Sequence, residues 1–114
     1  MKLLIAGSRS FDNYELLCNE MKSYDISKID YIISGTARGA DKLGERFARD
    51  NNIKILSFPA EWDKYGKSAG YKRNLLMGEE CDEAIIFYDG SSKGSMHMIN
   101  ILKEKNKKYK VINY

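Results

Sequence analysis

The chain has 114 residues, 43% hydrophobic and 31% charged, with a net charge of +3 at neutral pH. That length fits one domain with a real core and excludes two ordinary ones. No apolar run approaches the ~20 residues of a bilayer-spanning helix, so residues 1–114 are expected to form a single soluble domain without a membrane partner.

The first apolar run, KLLIA at 2–6, breaks into the turn GSRSF at 7–11, so it reads as a strand and not as a secretory signal. Tyr14, Leu17, Cys18 and Met21 then recur at i, i+3, i+4 and i+7, an amphipathic helix. YIIS at 31–34 is the second strand, followed by SGTARGAD at 34–41 and a helix whose stripe is Ala40, Leu43, Gly44, Phe47 and Ala48. IKILSF at 53–58 is the third strand, stopped by Pro59. Residues 59–68, PAEWDKYGKS, form the one long irregular stretch, placed to fold over a ligand.

A third helix spans Ala69 to about Glu80 and counts Leu75, Leu76 and Met77 among its apolar residues. EAIIFY at 83–88 is the fourth strand, and the turn DGSSKGS at 89–95 leads into a fourth helix starting at Ser95, with Met98, Ile101 and Leu102 inward. KVINY at 110–114 is the last strand. The strands are nearly continuous in apolar character, which suits coverage on both faces. Alternation of this kind predicts an α/β, Rossmann-like, three-layer domain: a five-stranded parallel sheet of order 3-2-1-4-5 with four helices on its two faces.

Cys18 and Cys81 belong to no CxxC pair and no Cys/His cluster with metal spacing, so free thiols in a reducing cytoplasm are expected, with no metal and no cofactor. Much of the positive charge sits in KEKNKKYK at 103–110, which reads as a solvated helix end, and nucleic acid is not expected as a partner.

In such a sheet, ligands bind outside the carboxyl ends of the strands, where successive connections leave for opposite faces. With this strand order the switch lies between the first and fourth strands, whose turns are GSRSF and DGSSKGS; SGTARGAD is next door. Gly7 allows a close approach of the backbone, Ser8 offers a hydroxyl, and Arg9 carries a planar donor fork suited to phosphate. Gly35, Thr36 and Gly39 precede a helix whose free amides attract an anion, and Arg38 adds a full charge. Gly90, Ser91, Ser92, Gly94 and Ser95 repeat this at the fourth helix.

Plainer readings stand beside these. Gly and Ser are ordinary turn residues, Asp41 suits the first turn of its helix, Trp62 and Tyr65 either stack on a base or pack the loop, and His97 fits a helix surface. GKS at 66–68 is no Walker A end, because Glu61 stands where that motif needs glycine, and no GxGxxG follows the first strand.

Taken together, IAGSRSF, ISGTARGADKLGERFA, FPAEWDKYGKSAGYKRN and DGSSKGS resemble the YspA/YpsA-related branch of the SLOG superfamily, over almost the whole chain and in order. That superfamily includes LOG-type phosphoribohydrolases, the DNA-processing protein DprA and SLOG domains that sense nucleotide-derived signals. The resemblance implies a Rossmann-like domain that binds a nucleotide or a nucleotide-derived phosphorylated ligand, and self-association into a homo-oligomer. Matching positions imply a pocket of Gly7, Ser8, Arg9, Gly35, Arg38, Gly39, Asp41, Lys67, Arg73, Asn74, Ser92, Gly94 and Ser95. LOG enzymes carry a catalytic glutamate in PGGxGTxxE; here that position is Met98, whose thioether has no acid–base chemistry. Binding, as a sensor or ligand-binding domain, is therefore the leading expectation. A phosphoribohydrolase-type reaction needs a substitute carboxylate, for which Asp41, Asp89 and Glu61 are the candidates, and a nucleic-acid-binding module is a further alternative.

Overall fold

A computed structural model describes residues 1–114. The strands are β1 (Lys2–Gly7), β2 (Tyr31–Ser34), β3 (Lys54–Ser57), β4 (Glu83–Tyr88) and β5 (Lys108–Asn113). They form one sheet in the order β3-β2-β1-β4-β5, and every neighbouring pair is parallel. The full-length helices are α1 (Tyr14–Met21), α2 (Ala40–Asp50), α4 (Ala69–Glu80) and α5 (Lys93–Glu104), and a single-turn helix, α3 (Trp62–Tyr65), lies between β3 and α4.

Alternation along the strands divides the core. Leu3 and Ile5 of β1, Ile32 of β2, and Ile85 and Phe87 of β4 pack with Leu17 and Met21 of α1 and with Ala40, Phe47 and Ala48 of α2. The intervening Leu4, Ala6, Ile33, Ala84 and Ile86 pack with Met77 of α4 and with Met98, Ile99, Ile101 and Leu102 of α5. The period of two sends successive side chains to opposite faces, so each helical layer receives its own half of the same strands.

Double coverage applies to β1, β2 and β4 and not to the two edge strands. β3 is exposed or half-buried along its length, and β5 alternates exposed with half-buried residues. An edge strand lacks a neighbour on one side, and the helical layers thin out over it.

Local chemistry accounts for the element ends. The Asn13 side chain accepts from the Leu16 N–H at 3.0 Å and caps α1. The Ser92 hydroxyl accepts from the Ser95 N–H at 3.3 Å, so α5 starts at Lys93, two residues before the expected start at Ser95. The stretch 59–68 is more ordered than expected: α3 runs into a 3-10 turn at Gly66–Ser68 that feeds α4 directly. Within α4, Asn74, Met77 and Gly78 face the body, while Leu75 and Leu76, also counted among its apolar residues, are 47% and 56% exposed. A methyl group on Gly78 would lie 2.5 Å from Cγ2 of Ile101, so the α4–α5 contact needs the missing side chain.

Candidate functional site

The turns after β1, β2 and β4 meet at the carboxyl edge of the sheet and enclose a cleft of about 650 Å³. The β1 turn is fastened first. Ser8 is buried; its N–H donates to the Phe87 carbonyl at 2.8 Å, and its hydroxyl accepts from the Asp89 N–H at 3.1 Å. The Ser8 carbonyl accepts from Phe11 at 3.2 Å and from Ala40 at 3.3 Å. Phe11 stacks on Phe87 with ring centroids 4.4 Å apart, pinning the end of the turn to β4. Ser8 therefore joins the three turns, and the hydroxyl expected to face a ligand is engaged with β4's turn.

Gly39 has a φ of +84°, and a methyl group there would lie 2.5 Å from the Ser8 carbonyl oxygen and 2.6 Å from that of Arg9. Its role is to let the β2 turn sit on the β1 turn. Thr36, a β-branched residue, is held at a φ of 66°, with its N–H donating to the Ser34 hydroxyl at 3.0 Å. This conformation carries backbone strain next to the cleft.

The fourth wall comes from α4. Nη1 of Arg73 donates to the Gly35 carbonyl at 2.5 Å, and its Nε donates to Oδ1 of Asn74 at 3.0 Å. Nδ2 of Asn74 reaches the Gly94 carbonyl at 3.4 Å and Nδ1 of His97 at 3.2 Å. These two residues thus tie the β2 turn to the start of α5. His97 is a partner of Asn74 and packs edge-on against Tyr71 at 4.6 Å; it does not line the cleft.

Electrostatics at the cleft are uneven. Arg9, Arg38 and Arg73 all line it, and none forms a salt bridge; the paired arginines are Arg46 and Arg49, outside the cleft on α2. Asp41 is buried on the wall and accepts from the Ala37 N–H at 3.1 Å. Burial pushes its carboxyl up to about 6, against the lowering effect of the Ala37 N–H and the Arg73 charge. Desolvation likewise lowers the Arg73 guanidinium. Asp89 is held below the usual carboxylate range by the N–H groups of Ser91 and Ser92, both at 2.9 Å from Oδ1. Ser95, in the first turn of α5, lines the cleft with a buried hydroxyl that has no hydrogen-bond partner.

Of the residues singled out from sequence, Gly7, Arg9, Arg38, Asp41, Arg73, Asn74, Asp89, Ser92, Gly94 and Ser95 line the main cleft. Gly35 and Thr36 line an adjoining hollow of about 340 Å³ with Pro59, Ala60 and Trp62, and Lys67 lines another of about 240 Å³. Arg9 and Arg73 border all three. Ser8 and Gly39 are scaffold, and Gly90 and Ser91 face a separate hollow beside His97. Glu61, the N-cap residue of α3, lines none of these hollows. Met98 does line the cleft.

Sequence reasoning missed Ser10 and Ala37 on the cleft and the support beneath Asp41. There, Ser34 donates to Oε2 of the buried Glu45 at 2.6 Å. The spacing of Asp41 and Glu45, one helical turn apart, was the available signal that both point toward the sheet.

Comparison with known proteins bears on the same region. Residues 1–65, more than half of the chain, match the model of the YAcAr family, described as the YspA, cpYpsA-related SLOG family. The chain is also similar to the gene 61 protein of Mycobacterium phage D29, at 29% identity over 106 residues that cover 84% of this chain and 83% of that protein. The family match runs from β1 through α3 and takes in the β1 and β2 turns with Arg9, Arg38 and Asp41. With the blocks in order on a 3-2-1-4-5 parallel sheet, the chain belongs to the YspA/cpYpsA-related SLOG family.

Proposed function

We propose that the cleft binds a nucleotide or a nucleotide-derived phosphorylated ligand and that the domain serves as its receptor. The carrying observation is the convergence of Arg9, Arg38 and Arg73 on one cleft without a carboxylate paired to any of them. Arg9 and Arg73 repel one another, Asp41 offsets that charge without forming a salt bridge to either, and a phosphate offers the guanidinium N–H groups not already donated to Gly35 and Asn74 a planar, charge-assisted contact. The amino end of α5 and the unpartnered Ser95 hydroxyl supply further donors on the opposite wall. A volume of about 650 Å³ is in the range of small-molecule sites. Trp62, 53% exposed beside the adjoining hollow, offers an aromatic face to a base.

Native mass spectrometry of protein purified from its own cells tests this reading. A retained phosphorylated nucleotide is expected, with binding weakened roughly 10- to 100-fold by Arg38→Ala, the range for one charge-assisted contact. No adduct, together with no binding of nucleoside mono- or diphosphates at millimolar concentration, would overturn it.

A second reading rests on Asp41, whose carboxyl titrates at about 6 on the cleft wall and so holds a proton at mildly acid pH. In this reading it gives its proton to the leaving base as the C–N bond of an N-glycoside breaks, water adds its oxygen to the sugar carbon, and the proton that water sheds returns to the Asp41 carboxylate, the task for which Met98 is unfit. Release of free base from nucleoside monophosphates, abolished by Asp41→Ala, would favour it over binding alone.

A further inference from the structure

The outer face of α4 has no role in the cleft or the core. Lys72, Leu75, Leu76 and Glu79 fall at i, i+3, i+4 and i+7 and form one exposed stripe. The two leucines are half-exposed and adjacent, with a cation one turn before them and an anion one turn after. The ammonium of Lys72 lies 4.8 Å from the Tyr65 ring, and neither it nor the Glu79 carboxylate forms a salt bridge within the chain. Tyr71, Trp62 and Met96 are also exposed large hydrophobic residues, at 51%, 53% and 39%.

We infer that this face pairs with the same face of a second copy, α4 against α4 in antiparallel register. A two-fold axis passing between Leu75 and Leu76 sets each leucine against the other residue's counterpart and places Lys72 opposite Glu79 of the second copy, twice. The stripe is complementary to itself in that register and in no parallel one, where Lys72 would meet Lys72. Closed two-fold pairing needs such a self-complementary patch. A 12-residue helix is ~18 Å long, and contact centred on it falls at or below the ~1,200 Å² of stable interfaces, so the dimer is weak, with a dissociation constant of ~10–100 µM. The pairing does not depend on the ligand assigned to the cleft.

Sedimentation velocity on the full chain over a concentration series tests it. The wild type is expected to pass from monomer to dimer, and Leu76→Glu, Lys72→Glu and Glu79→Lys each to weaken the dimer by roughly tenfold or more. All three positions are exposed, and unchanged circular dichroism and melting verify the fold. The double variant Lys72→Glu/Glu79→Lys should regain the dimer, and an equimolar mixture of the two single charge variants should form a heterodimer that neither forms alone. A monomer at every concentration up to ~1 mM, well above the expected constant, overturns the inference. So does a dimer indifferent to Leu76→Glu, or failure of both charge-reversal rescues.

Discussion

Asp41→Asn separates the cost of the cleft from its use. The carboxyl is 5% exposed and displaced from 3.8 to about 6, chiefly by burial. The folded chain thus holds this proton more tightly than the unfolded chain. Stability contributed at low pH is lost as pH rises through about 4 to 6, and at pH 7 the displacement amounts to about 3 kcal/mol. Asparagine keeps the shape and can accept from the Ala37 N–H through its amide oxygen, but it carries no charge to desolvate. The lost attraction to Arg73 is already included in the net upward displacement. The variant should therefore be about 1–3 kcal/mol more stable than wild type at pH 7.5, a rise in melting temperature of roughly 4–15 °C. At pH 4 the two chains should melt nearly together. Scanning calorimetry at both pH values decides the matter. An Asn variant that melts at or below wild type at pH 7.5, or whose gain is equal at pH 4, would refute the assignment of burial as the dominant cause. A gain accompanied by loss of ligand binding is the pattern of a residue kept for function at the expense of stability.

Gly39→Ala should destabilise the chain by about 2–4 kcal/mol, because φ of +84° and two carbonyl oxygens within 2.6 Å leave no room for a methyl group; the urea midpoint measures this. Ser95→Ala should change stability by less than about 0.5 kcal/mol, since the hydroxyl has no partner in the chain. The same variant should weaken binding of the nucleotide found by mass spectrometry, by about 3- to 10-fold in calorimetric titration.

The architecture was legible because its signals are local. Five apolar runs separated by helical stripes and glycine turns specify a parallel α/β order, and Pro59 marks the end of the third strand, whereas the caps at Asn13 and Ser92 emerged only from the structure. Ambiguity entered where a helix has more apolar residues than its buried face can take. Leu75, Leu76 and Met77 read alike in sequence, yet only Met77 faces the sheet, because consecutive residues lie about 100° apart around the helix. The glycine turns pointed to the carboxyl edge of the sheet, where the cleft lies, but not to the division of labour within it. Ser8 and Gly39 look like ligand contacts and are joints between turns, whereas Arg73 reaches a carbonyl 38 residues away in the chain.

By itself the sequence determined the family, the order of elements and the presence of arginines in glycine-rich turns, all carried by periodicity and short motifs. Tertiary structure alone decided which of those groups share a cleft and that Asp41 is buried beside Arg73. It also decided that α4 closes one wall while leaving its leucines outside. Those outcomes depend on sheet register and on the direction of each crossover, which bring together residues that no local pattern relates.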